Sequence, residues 1–281
     1  MATYDELLHE GLYESRVWID DELLQDEGIT VLLSSEEPAL PSMRNISVTI
    51  PGRHGSYDFG AYLEPREFTL NVVFPRKSYS DLKRQIRSFN RKFIDEYGRP
   101  KTVTLRFGDE VDKFYYVRLT EGIPVERAAE RGFLPLSLTA FDPYAYSTVM
   151  ADEVVWGSEV ITFEWNYLLG MGGTGGGFTV TRPQTIPIYV DGEALRPVIE
   201  INGTANNLTI SANGKSFKLP NFSATKWIID GENYVVKRNG NEELSAMTGD
   251  FIELMHGEND VIISGSSMDF ELTIKYRDKY I

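Results

Sequence analysis

Between residues 45 and 74 the chain alternates apolar and polar side chains twice, with a glycine-rich stretch between. Ile46, Val48 and Ile50 alternate with Asn45, Ser47 and Thr49; Phe68, Leu70, Val72 and Phe74 alternate with Glu67, Thr69 and Asn71. A period of two places each apolar set on one face of a sheet, so both runs are predicted strands. The segment between them holds Pro51, Gly52, Gly55 and Gly60, positions where the chain can turn or take positive φ. It presents Arg53, His54, Tyr57, Asp58 and Tyr62 as polar loop residues. An ordinary hairpin loop and a subunit-facing loop both fit that pattern.

The period then changes. Leu82, Ile86, Phe89, Phe93 and Tyr97 recur every three or four residues and predict one helix over 79–97. Ser78 or Ser80 suits its N-cap, Asp81 suits the dipole, and Gly98 with Pro100 stops it. Asp95 and Glu96 sit badly at such a C-terminus. The opposite side carries Lys83, Arg84, Arg87, Arg91 and Lys92. That side reads either as a solvated basic face or as a surface meeting an acidic neighbour.

Alternation returns at 102–107, 113–120 and 133–141, and short strands are expected at 17–24 and 29–33. A short helix is expected near Asp5–Leu8. Past residue 146 no helical period is found. Turn pairs recur instead: Asp191-Gly192, Asn213-Gly214, Asp230-Gly231 and Asn239-Gly240. The last strand sets Met268, Phe270, Leu272, Ile274 and Tyr276 against Asp269, Glu271, Thr273, Lys275 and Arg277. The expectation is a mainly β chain. Residues 1–145 form a β-barrel or sandwich with one packed helix (α+β), and 146–281 form a β-sandwich of short strands.

Composition narrows the function classes. The 281 residues carry a formal net charge of −14, with −6 in residues 1–145 and −8 in residues 146–281. Acidity spread over both halves repels phosphate backbones and argues against sequence-specific nucleic-acid binding. Cysteine is absent, which removes disulfides, thiolate metal sites and thiol nucleophiles. Residues 1–15 do not read as a secretory signal, and no apolar run approaches the roughly 18 residues of a membrane span.

Candidate chemistry is thin. Gly170, Gly172 and Gly175 fit G-x-G-x-x-G, but FTVTRP follows where a helix is required, so the glycine-rich stretch 170–177 reads as a linker or sandwich loop. His9, His54 and His256 have no partner at ligand spacing, and no serine lies in a G-x-S-x-G elbow. No catalytic residue, cofactor or metal site is assigned. Trp156 and Trp165 are candidates for a sugar platform, with sandwich core as the alternative. A carbohydrate-binding module contacting cell-wall glycans is therefore the competing functional reading.

Four features together resemble the distal tail protein family of long-tailed, non-contractile phages and their prophage relatives. They are the loop Pro51-Gly52-Arg53-His54-Gly55 with Tyr57-Asp58 and the strand after it; the helix that follows; AFDPYAYS at 140–147; and the C-terminal blocks RPVIEINGT, HGENDVIISG and KYRDKY. The family often writes a Pro-Gly-x-Asn turn where this chain has His256-Gly257-Glu258-Asn259. The resemblance implies a ring-forming N-terminal β domain, assembled as a homohexamer that continues the tail tube, and a galectin-like C-terminal sandwich. It implies a baseplate hub at the virion tail tip. That hub joins the tube to the tail-associated lysin or fibre, the tape measure and the receptor-binding proteins, and is made in the host cytoplasm for host adsorption. The expected subunit contacts are Gly52, Arg53, His54, Tyr57, Asp58, Arg84, Arg87 and Arg91, with no enzymatic activity, no cofactor and no membrane.

Overall fold

The computed structural model describes residues 16–74, 78–122, 126–128, 131–151 and 177–281. The expected helix at Asp5–Leu8, the Gly170–Gly176 stretch, Trp156, Trp165 and His9 lie outside them. The described residues are mostly β, with one α-helix among them, as the alternating patterns predict. The chain divides into two compact units, residues 1–145 with Ile281, and 146–280.

In the first unit the strands are β1 (Val17–Ile19), β2 (Glu22–Leu23), β3 (Thr30–Val31), β4 (Met43–Val48), β5 (Tyr57–Leu63), β6 (Arg66–Phe74), β7 (Thr102–Phe107), β8 (Lys113–Leu119), β9 (Glu126–Ala128) and β10 (Arg131–Ala140). Eight of them belong to one sheet, seven in the order β2-β1-β7-β8-β10-β6-β3 with β9 paired to β10, and the pairings that build it are antiparallel. Its inner face buries Val17, Ile19, Phe68, Leu70, Val72, Phe74, Leu105, Val117, Leu134 and Leu136. The helix α1 (Tyr79–Asn90) covers that face: Leu82, Ile86 and Phe89 are buried, and Phe74 meets Phe89 edge-on at 5.4 Å.

Ser78 caps α1, its Oγ accepting from the Asp81 amide at 3.4 Å. The helix is shorter than the predicted 79–97. It ends at Asn90, passes through a 3-10 turn at Arg91–Phe93 and becomes extended at Ile94. Asp95 explains the stop. Its Oδ1 accepts from the amides of Tyr97 at 2.9 Å and Arg99 at 2.8 Å, a turn that competes with helix. Asp95 is therefore the first residue of a loop, and the misfit at a helix C-terminus disappears. Tyr97, expected on the buried stripe, is 81% exposed for the same reason. Lys92 also leaves the expected basic face, turning inward to pair with Glu22 and with Glu27 at 2.6 Å.

From the boundary onward the strands are β11 (Ala145–Ser147), β12 (Phe178–Val180), β13 (Gln184–Val190), β14 (Val198–Ala212), β15 (Lys215–Lys218), β16 (Phe222–Asp230), β17 (Val235–Arg238), β18 (Asn241–Glu242), β19 (Thr248–Gly249), β20 (Gly257–Lys275) and β21 (Lys279–Tyr280). The expectation of uniformly short strands fails here: β14 runs 15 residues and β20 runs 19, paired along most of their lengths. The register between them shifts near Asn206, where Asn207 and, across the pair, Ser267 take positive φ. One half of the long pair binds β12 and β16, the other β13 and β15. Such irregularities bend strands and let two strands serve both layers of a sandwich. Gly203 lies in this region at φ 148, where an added Cβ would sit 2.3 Å from the Asp269 carbonyl, so only glycine fits. Trp227, Ile201, Leu208, Phe217, Leu254, Phe270 and Leu272 fill the core between the layers.

Two turn predictions hold in detail. Asn213-Gly214 joins β14 to β15 with φ of 48 and 78, and Asn239-Gly240 joins β17 to β18 with φ of 50 and 86. Asn259 of the HGEN motif is 2% exposed and acts as a structural knot. Its Oδ1 accepts from the Met255 amide at 2.7 Å and from Asn213 at 2.6 Å, while its Nδ2 donates to the carbonyls of Met255 and Gly257, each at 2.8 Å. The C-terminal residues stitch the unit shut. Arg277 donates to the carbonyls of Ser147 at 2.7 Å and Thr148 at 2.6 Å, and the Asp278 carboxylate accepts from the Asp191 amide at 3.1 Å. Burial, with the Asp191 charge adding to it, pushes the Asp278 carboxyl up to about 6 even though backbone amides of Gly192 and Asp191 pull the other way.

Candidate functional site: an exposed two-stranded arm

The site is built where the sequence turns from strap to strand. The strap at residues 32–42 is held to the first unit by ordinary backbone bonds. Leu32 donates to the Asn71 carbonyl at 2.9 Å, and Glu36 exchanges bonds with Thr69 at 2.8 and 3.0 Å. Past that point the chain leaves the sheet. Among the described residues β4 and β5 pair only with each other, as a separate two-stranded sheet. The stretch expected to be a long loop is therefore a strand over Tyr57–Leu63 with a short tip at 49–56, and Tyr57, Asp58 and Tyr62 are strand residues.

Register fixes which side chains share a face. Arg44 lies opposite Tyr62 and Val48 opposite Tyr57; Ile46 faces a bulge at Phe59 and Gly60. Gly60 has φ 98, and its amide donates to Asp58 Oδ1 at 2.9 Å. One face of the arm is consequently Ile46, Val48, Tyr57, Phe59 and Tyr62, with Arg44 at its root. All five apolar or aromatic residues are exposed, Phe59 at 63% and Tyr62 at 59%. Every residue of β4 is exposed as well. A lone hairpin is marginally stable in water, and open strand edges invite pairing. An apolar ribbon of this kind is a surface awaiting cover.

The predicted contact residues fall in two places. Gly52, Arg53 and His54 form the exposed tip and Tyr57 with Asp58 its root, with Arg53 stacked 4.2 Å from the Tyr57 ring centroid. Arg84, Arg87 and Arg91 form an exposed stripe on and just beyond α1, Arg84 lying 3.6 Å from Asp81. The arm and the helix stripe are separate features. Sequence reasoning missed the arm's second strand because Gly60 masks its alternation.

Beneath the arm root, Arg66 is 2% exposed. It donates from Nη1 to the Tyr115 hydroxyl at 2.8 Å and lies 5.2 Å from that ring's centroid. Glu37 on the strap is pushed up to about 7 by burial of its carboxyl, with Asp109 and Glu110 adding repulsion and Arg66 opposing them. Among the described residues no group of three metal-ligating side chains occurs, and no helix is long and apolar enough to cross a membrane.

Residues 23–139, the region that carries both the arm and the helix, match the family model described as phage tail protein RIFT-related domain. The chain as a whole has the fold of a solved phage hub protein. That protein is Dit (gp 19.1) of phage SPP1, described as a paradigm of the hub adsorption apparatus in phages infecting Gram-positive hosts. It aligns with a TM-score of 0.69 at 17% identity, over 96% of this chain and 100% of that one. A chain of the phage p2 baseplate, in its activated conformation with Sr, aligns with a TM-score of 0.44 at 11% identity over 95% and 99%. The comparison with characterised protein sequences found no match.

Proposed function

We propose that this chain is a structural subunit of a phage tail tip. Six copies form the hub ring that joins the tail tube to the tail-associated lysin or fibre, the tape measure and the receptor-binding proteins. The first unit forms the ring and the second, a galectin-like sandwich, carries peripheral partners. The role is one of assembly, and no residue is assigned a bond-making step. The single observation that carries the reading is the exposed apolar arm, in a chain with the fold of a phage hub protein and a phage tail domain at 23–139. An arm that reaches a neighbour makes a head-to-tail contact, and such contacts close into rings.

In this reading Gly52, Arg53, His54, Tyr57 and Asp58 seat the arm on the next subunit. Arg84, Arg87 and Arg91 meet an acidic surface of a neighbour, as the chain's net charge of −14 allows. Light scattering of the full chain over a range of concentration tests it. A six-chain mass that breaks down only on dilution is expected, and a single-chain mass at every concentration would contradict it.

A further inference from the structure

Arg66 opens β6 directly behind the arm and is 2% exposed. One side of its guanidinium is engaged, Nη1 donating to the Tyr115 hydroxyl at 2.8 Å. The other side is not: Nε and Nη2 are buried and have no hydrogen-bond partner among the described residues. Those two N–H groups lie on one edge of the planar fork, parallel and spaced to grip both oxygens of a single carboxylate. A buried guanidinium edge without an acceptor costs free energy, and a carboxylate that reached it would recover that cost.

Three carboxylates share this end of the sheet. Glu37 on the strap feels the charges of Arg66 and of Asp109 and Glu110 in the turn between β7 and β8. Glu110 is taken by Lys113 at 2.8 Å. Asp109 follows Gly108, which is pressed so close to Arg16 that an added Cβ would lie 2.7 Å from the Arg16 Cβ, so that turn is pinned. Glu37 differs. It lies between two anchors of the strap, the Glu36–Thr69 bonds and the bond from the Glu64 amide to the Ser42 carbonyl at 2.8 Å. Between them residues 37–41 make no backbone–backbone hydrogen bond within the described residues, and Pro38 and Pro41 have no amide to give. That stretch can shift while both of its ends stay fixed.

We propose that Glu37 and Arg66 form a latch across the two legs of the arm. In the structure the latch is open. It closes when the strap carries the Glu37 carboxylate onto the Nε–H and Nη2–H edge, and the bidentate pair then fixes the angle at which the arm leaves the sheet. The latch goes beyond the ring reading and rests on it only for what the arm is for: closing it presents the arm in one direction, which lowers the ordering cost of docking on a neighbour.

The direction in which pH acts follows from the groups around Glu37, which are Arg66, Asp109, Tyr115 and Glu110 with its partner Lys113. Burial, then repulsion from Asp109 and Glu110, raise the Glu37 carboxyl to about 7 in the open arrangement. It holds its proton below that value and releases it above. Only the ionised carboxylate accepts from both N–H groups, so closing is favoured as pH rises.

Nuclear magnetic resonance of the full chain tests the latch, with Arg66→Lys used to assign the Arg66 Nε–H signal. At pH 8 that proton is expected to exchange with water about tenfold more slowly in the unaltered chain than in Glu37→Gln, and the amides of β4 about fivefold more slowly. Asp109→Asn is expected to behave as the unaltered chain, and at pH 5.5 the difference between the unaltered chain and Glu37→Gln is expected to vanish. An Arg66 signal that Glu37→Gln leaves unchanged, one that Asp109→Asn abolishes, or β4 amides that exchange equally with and without Glu37 would overturn the latch. The mass of each sample is measured by light scattering alongside. A failed latch therefore leaves the ring reading standing, and a single-chain mass overturns the ring without touching the latch.

Discussion

The arm and the centre of the second unit are both antiparallel pairs written in the same code. In β14 and β20, Ile199, Ile201, Phe270 and Leu272 alternate with polar residues, and each is buried by the opposing layer. In β4 and β5, Ile46, Val48 and Tyr57 alternate in the same way, and each is exposed. The difference lies in what the chain supplies to cover them. The sandwich wraps its long strands with β12, β13, β15 and β16, whereas among the described residues the arm has no second layer. Alternation says that a strand has two unlike faces; it does not say whether the cover is in the same molecule. An apolar face left open in an otherwise well-packed chain therefore reads as half of an interface.

Matched substitutions break or sharpen this comparison. Phe270→Ala in the sandwich core is expected to cost about 3–5 kcal/mol, measured by denaturant unfolding. Next in size is a pH effect in the same unit. The Asp278 carboxyl is raised from 3.8 to about 6, so between those values the folded chain holds a proton that the unfolded chain has released. Its stabilising contribution is fully present below the lower value and is lost as pH rises through the upper one. Asp278→Asn keeps the acceptor and removes the charge. It is expected to leave stability at pH 4 nearly unchanged and to raise it at pH 7.5 by at most about 3 kcal/mol; a destabilised variant at pH 7.5 would contradict this. The smallest effect belongs to the arm: Phe59→Ala should change the unfolding free energy of the dilute single chain by roughly 0.5 kcal/mol or less. A cost comparable to Phe270→Ala would mean that the arm is packed against its own chain.

Local sequence disclosed the strands, the helix start and two of the hairpin turns, because each depends on neighbours within a few residues. The Asn213-Gly214 and Asn239-Gly240 turns follow from positive φ alone, and α1 begins where Ser78 can cap it. What local sequence hid was decided by side chains acting at a distance or against the period. Asp95 ends the helix by bonding its own following amides, although Phe93 and Tyr97 extend the apolar stripe. Lys92 looks like part of a basic face until Glu22, 70 residues away, draws it in. Gly60 breaks the alternation of β5 and disguised a strand as loop. Asn259 looked like a fragment of a motif and is the buried hub of a turn. The arm's five-residue face was legible only once register was known, since its members come from two strands around a bulge.

The central claim is that the arm is held by another copy of the chain. Replacing residues 52–60 with a short Gly-Ser linker removes the tip, Tyr57 and Phe59 without touching either core. Native mass spectrometry of that variant beside the unaltered chain tests the claim most directly. The account expects rings for the unaltered chain and folded single chains for the variant; rings of equal abundance in both would contradict it.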